Sequence, residues 1–170
     1  MPAGTTFLLS GLIVIVICCA VSAASRRPSE SWSYYHFNGS TFAAGQSPDG
    51  GRFLAVRDRM TPVILRRSEA MEAVPLPAGK GAVAGVCYIQ SSIVLPAKGA
   101  VYTPSPGATV TITPGAGAPV ITQADDAGFF VAVLDAGSYT VSNGAFSSRV
   151  TLEKGTTVLV PLRTGKRMVN

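Results

Sequence analysis

The sequence has little of what enzyme sites are usually built from. Among 170 residues it holds one histidine, His36, three cysteines and one tryptophan, and only 14% of its residues are charged. A lone histidine cannot supply the pair of imidazoles that many zinc sites use. No nucleophile motif such as Gly-x-Ser-x-Gly accompanies it. We therefore expect no enzyme activity, no metal and no cofactor.

Concentrated charge is also absent. The net charge is +5, but residues 25–80 hold eight basic and five acidic side chains, and residues 81–170 hold six and four. A nucleic-acid surface needs basic side chains clustered on one face. We expect no nucleic-acid partner, and residues 164–170 are interpreted as a solvated basic tail.

Residues 1–24 lack charged side chains altogether, and residues 7–24 form the apolar run FLLSGLIVIVICCAVSAA. The small residues around Ala23 are typical of a secretory cleavage site, which predicts a signal peptide. The run also just reaches the length of a membrane-spanning helix. We expect export to the periplasm, the cell surface or the medium. The alternative is a protein that stays tethered to the membrane by an N-terminal apolar helix.

Cysteine is scarce outside this run. Cys18 and Cys19 lie within it, so a processed chain keeps Cys87 alone and cannot form an internal disulfide. Cys87 lies in an alternating pattern and is predicted to be a small buried side chain. A bridge to another chain is the alternative.

What the sequence has is turn residues and short β-patterns, with 18 glycines and 12 prolines. After a linker at residues 25–31, residues 32–68 predict a small aromatic β-meander in which Asn38-Gly39 forms a two-residue hairpin turn. Residues 69–81, with two prolines, predict a second linker. The rings of Trp32, Tyr34 and Tyr35 are expected either in a core or, exposed and coplanar, as a carbohydrate platform.

Alternation is clearest in residues 82–163, where Val110 and Ile112 share one face and three threonines the other. About seven short strands recur at 8–12-residue spacing, which predicts an antiparallel β-sandwich. The bulky residues on both faces of residues 129–134 predict a central strand. The fold class is thus all-β: a sandwich, the preceding meander, and the N-terminal apolar helix.

Residues 82–163 resemble a carboxypeptidase regulatory-like domain, which is a transthyretin-like (prealbumin-like) β-sandwich. The resemblance rests on PGATVTI, on TQADDAGFFVAVLDAGSYTV, and on RVTLEKGTTVLVPL, although Ala136 stands where the family usually has proline. It implies a fold and no chemistry. The residues that carry it are turn and core positions: Gly107, Val110, Asp125, Gly128, Phe130, Gly137, Tyr139 and Gly155.

These observations predict a non-catalytic structural or interaction module at the cell envelope. Its partner would be a protein or an envelope polymer, with the membrane added if residues 7–24 stay uncleaved. Sheet edges and residues 91–106, which look like a long irregular loop, are the expected contact surfaces. The alternatives are a carbohydrate-binding module that uses Trp32, Tyr34 and Tyr35, and a subunit of a surface assembly.

Overall fold

The computed structural model describes residues 31–95, 99–144 and 146–165, with side chains described outside residues 91–101. This part of the chain is all-β and has twelve strands. The predicted N-terminal helix, the linker up to residue 30 and most of the basic tail lie outside the described residues. The strands are β1 (Ser33–Phe37), β2 (Phe42–Ala44), β3 (Phe53–Val56), β4 (Val63–Leu65), β5 (Lys80–Leu95), β6 (Gly99–Pro104), β7 (Thr109–Pro114), β8 (Val120–Gln123), β9 (Phe129–Asp135), β10 (Gly137–Asn143), β11 (Phe146–Leu152) and β12 (Thr157–Arg163).

The strands form three sheets that stack as three layers. The meander sheet has the order β2-β1-β3-β4, and the distal sheet has the order β11-β10-β7-β8. Between them lies the central sheet, in which β5 pairs with β12 on one edge and with β9 and β6, end to end, on the other. The meander therefore packs on the sandwich.

Two hydrophobic cores lie on the two faces of the central sheet, as the side-chain alternation of strands requires. Val83, Cys87 and Phe130 face the distal sheet and pack with Val110 and Ile112. The opposite face packs against the meander sheet in a second core, which comprises Ala84, Val86, Tyr88, Phe129, Phe37 and Leu54.

The central strand is β5 and not, as predicted, the strand at residues 129–134. Residues 81–88 are all buried, whereas β9 pairs with β5 alone. The bulky residues on both faces of β9 are explained by the three layers: Phe129 contacts the meander core and Phe130 contacts the distal core. Both faces of β9 are buried because a sheet packs on each side of the central sheet, and not because β9 lies in the middle of that sheet.

The predicted antiparallel sandwich needs two further corrections. β12 runs parallel to β5, from Thr157 opposite Ala82 to Arg163 opposite Tyr88. The sandwich also has eight strands, because residues 91–106 are mostly strand and not an irregular loop. The second half of β5 pairs with β6 alone, with a register shift between Gln90 and Val94, and we call this two-stranded segment the ribbon.

The Asn38-Gly39 turn is longer than predicted. Phe37 pairs with Phe42, so four residues connect β1 to β2, and Gly39 alone among them has positive φ. The Asn38 side chain accepts hydrogen bonds from the amides of Ser40 and Thr41 at 3.1 and 3.0 Å. Asparagine therefore acts here through its side chain and not through a left-handed backbone.

The segment predicted as the second linker is extended but held in place. Met60 and Pro75 form an isolated bridge, and Leu76 donates its amide to the Arg59 carbonyl at 2.9 Å. Arg59 has a φ of 63° and donates its own amide to Gly155 at 2.7 Å. These bonds join the end of the meander to the turn before β12.

Candidate contact surfaces

The predicted core positions of the sandwich lie between its two sheets. Val110 and Phe130 are buried there. Tyr139 is half-buried near the start of β10, where its ring packs on the same core and its hydroxyl donates to the Asp135 carbonyl at 2.8 Å. Gly137 lies next to that ring. This part of the chain therefore serves the packing of the sandwich.

The predicted turn glycines differ in what requires them. Gly107, Gly128 and Gly155 all have positive φ. At Gly128 space is also limiting, because a Cβ would come within 2.5 Å of the Cys87 carbonyl oxygen. Gly128 thus lets the turn before β9 approach β5, with which it shares a hydrogen bond from the Cys87 amide of 2.7 Å.

Asp125 organises the same turn. Its carboxylate accepts hydrogen bonds from the amides of Ala127 and Phe129 at 2.9 and 2.8 Å. Arg52 of the meander reaches over this turn, with contacts of 3.5 Å to Asp125 and 2.6 Å to Asp126. The acidic pair caps a turn and ties the meander to the sandwich. The link to Arg52 has no signal in the sequence, because 74 positions separate it from Asp126.

The three rings predicted as a possible platform do not share one surface. Trp32 and Tyr34 pack around Phe53 on the outward side of the meander sheet, and Tyr34 meets Phe53 edge-on at 5.7 Å between ring centroids. Tyr35 is the next residue of β1 and therefore points to the opposite face, where it lines a cleft with Leu159. All three side chains are half-buried.

His36 has a local partner. Its Nδ1 lies 3.2 Å from the Gly45 carbonyl oxygen, across the β1–β2 hairpin. Within the part of the chain that the structure describes, no group of three His, Cys, Asp or Glu side chains could hold a metal ion.

The base of the ribbon is anchored by aromatic rings. Phe37 of the meander sheet lies 4.6 Å from the ring of Tyr88 and 4.7 Å from that of Tyr102, measured between centroids. Burial, and then the nearby carboxylate of Asp49, raise the pKa of the Tyr102 hydroxyl. The start of the ribbon is therefore fixed to the meander.

Cys87 is fully buried in the distal core and is a free thiol. Burial raises the pKa of its thiol from 9.0 to about 12. Because the folded state disfavours the thiolate, stability is fully present below pH 9 and is lost as pH rises toward 12. We expect the free energy of unfolding to fall over this range by at most about 1.4 kcal/mol per pH unit from this group.

Urea titrations at several pH values should show that the free energy of unfolding declines less steeply with pH in Cys87→Ala than in the natural chain. Tyr102 titrates in both chains. Iodoacetamide should modify Cys87 only after unfolding. Rapid modification of the native protein at this residue, or identical pH slopes for the two chains, would contradict the buried thiol.

The surface of the described residues includes two clefts of similar size. One, of about 440 Å³, lies on the distal sheet and is lined by Thr113, Ser138, Thr140 and Arg149. The other, of about 350 Å³, lies between the meander and the turn before β12. The charged side chains that line it are Arg57, Asp58, Arg59, Glu153 and Lys154. Because both signs are present, this cleft favours no single ligand charge.

The edge of the distal sheet at β8 exposes apolar side chains. Ile121 is 66% exposed and Val120 is 42% exposed. β8 pairs with β7 on one side, and among the described strands none pairs with its other side. The four residues of β8 include no charge and no proline, which are the usual devices that keep an edge from pairing.

Comparisons with known proteins leave the family open. No protein-family model and no curated protein matches the chain. Among solved structures, a minor pilin of Streptococcus agalactiae is similar at 13% identity and a TM-score of 0.42, over 76% of this chain and 67% of the pilin. The TIE protein of Bacillus anthracis is similar at 11% identity and a TM-score of 0.35, over 83% of this chain and 31% of that protein.

These scores are too low to carry an argument about function. No family model supports the resemblance to a carboxypeptidase regulatory-like domain, so that assignment stays a prediction, while the coarser all-β sandwich is observed. In residues 31–95, 99–144 and 146–165 there is no helix with the length and hydropathy to cross a membrane.

Proposed function

We propose that this protein is a non-catalytic module of the cell envelope that works by contact with a protein or an envelope polymer. The observation that carries the proposal is the open edge of β8, where Val120 and Ile121 are exposed and no described strand pairs with the outer side of β8. Such an edge offers backbone hydrogen bonds to an added strand, and its side chains select the partner. In this proposal the carboxypeptidase regulatory-like module supplies a scaffold and no chemistry.

The subcellular localisation of the protein is part of the same proposal. The uncharged run at residues 7–24 supports export, with cleavage near Ala23, or retention in the membrane by that run. The three packed layers support a rigid body that presents its edges at fixed positions.

Fractionation of the native host, with intact mass of the recovered protein, tests this proposal. We expect either a chain that lacks residues 1–23 outside the cytoplasm or the full chain in the membrane fraction. Recovery of the full-length chain in the soluble cytoplasmic fraction would refute an envelope role.

The carbohydrate alternative is left with a smaller surface, because Tyr35 lies on the other face of β1 from Trp32 and Tyr34. A binding assay on Trp32→Ala with soluble and insoluble glucans is its direct test. The remaining alternative is a subunit of a surface assembly. The edge strand β8 offers a specific place where such subunits could pair.

A further inference from the structure

We infer that β8 pairs with β8 of a second copy of this chain, in antiparallel register, so that two distal sheets join into one. The inference rests on the proposed contact function and gives it a partner. It starts from the direction of the backbone groups on β8, then adds register, side chains and charge.

The backbone of β8 directs specific groups away from β7. Ala124 donates its amide to Ala108 at 3.0 Å, which fixes the side of β8 that faces β7. Because alternate residues of a strand direct their N–H and C=O to the same side, Thr122 and Val120 also face β7. The N–H and C=O groups of Ile121 and Gln123 therefore point away from the distal sheet.

One register of self-pairing uses all of these groups. With Thr122 opposite Thr122 of the second copy on a two-fold axis, Ile121 of each chain lies opposite Gln123 of the other. Each of these residues then donates its amide and accepts at its carbonyl. Moving the axis to Ile121 would instead place Gln123 opposite Pro119, which has no amide hydrogen.

The side chains fit the same register. Ile121 shares a face with its β7 partner Thr111, on the outside of the sandwich, and would lie beside Gln123 of the second copy. Val120, which shares a face with the buried Ile112, would lie opposite Ala124 and lose its exposure. The inner faces of both sandwiches would then be continuous across the axis, where the two copies of Thr122 lie opposite each other.

Charge does not oppose this pairing. β8 is uncharged, and the nearest acidic residues, Asp125 and Asp126, would lie opposite Pro119 and Ala118 of the second copy. No like charges meet along the joined edge, even though the chain carries a net charge of +5. A contact without charge is expected to be insensitive to salt.

A cysteine placed on the two-fold axis tests the register. In the full chain with Cys18→Ala and Cys19→Ala, Thr122→Cys should form a disulfide-linked dimer on mild copper-catalysed oxidation, since opposed residues of a non-hydrogen-bonded pair approach closely. Gln123→Cys is the matched control, because the two copies of that residue lie on either side of the axis. Equal linkage of both variants, or none with Thr122→Cys, would overturn the inference.

Sedimentation of the full chain at a fixed concentration of non-ionic detergent measures the association itself. We expect a dimer whose dissociation constant rises about tenfold or more with Ile121→Lys. Val133→Lys, at a comparably exposed valine on β9, should leave it unchanged. A monomer at all concentrations, or a dimer sensitive only to Val133→Lys, would refute pairing through β8.

The two proposals fail separately. A monomeric protein recovered from the envelope would refute the β8 pairing and leave the contact function standing. A β8 dimer recovered from the cytoplasm would refute the envelope role and leave the pairing standing.

Discussion

Replacing Gly85 with alanine is expected to destabilise the protein by about 3 kcal/mol or more, at the upper end of the cost of overpacking a core. Gly85 lies on β5 opposite Val160 of β12. A Cβ at this position would overlap the Val160 carbonyl oxygen and approach the Cζ of Phe130 to 2.6 Å. The carbonyl belongs to a paired strand and the ring to the distal core, so neither can move without breaking other contacts.

Gly115→Ala is the matched control, because a Cβ there meets nothing within 4 Å and the residue has no positive φ. Its effect should stay within about 0.5 kcal/mol, as at ordinary surface positions. Urea unfolding followed by circular dichroism measures both variants. Similar midpoints for the two would mean that β5 and β12 are not in close contact at Gly85.

Local patterns predicted most of the strands of the sandwich correctly. The alternation of Val110 and Ile112 with threonines placed β7 and its buried face, because a strand with one covered face needs that period. Asp125 and Gly128 marked the turn before β9, since their turn chemistry is local. Features set by neighbouring residues are therefore readable without a structure.

Features set by distant contacts were not readable. The second covered face of β9, which carries Phe129, packs against the meander sheet, which is encoded far upstream. For that reason β9 was mistaken for a central strand. β6 was missed because residues 96, 104 and 106 are prolines, which usually mark a loop. Its pairing with β5 outweighs that signal.

The contact surface itself depends on strand order. The sequence of β8, with Val120 and Ile121, is equally compatible with an inner strand. Its position at the edge follows from the pairing of β7 with β10 on the other side. A site made of unpaired backbone therefore cannot be located before the sheet is assembled.

Phe37→Ala should destabilise the whole chain by about 3–5 kcal/mol, the usual cost of removing a buried aromatic ring. Phe37 is 5% exposed and packs on Tyr88 and Tyr102, so it links the meander sheet to the base of the ribbon. If the three layers fold as one unit, the loss of this ring destabilises all of them. The sandwich and the meander should then still unfold in a single transition.

Trp32 is the single tryptophan of the chain and lies in the meander sheet's outer cluster, so its fluorescence reports on that layer, while circular dichroism reports on every strand. In the natural chain the two probes should agree with each other on the urea midpoint. They should also agree with each other in Phe37→Ala. Phe146→Ala removes a half-buried ring of the distal sheet, under Arg163, and should cost about 1 kcal/mol. A fluorescence midpoint that falls alone in Phe37→Ala would mean that the meander is a separate folding unit, docked on a sandwich that is stable without it.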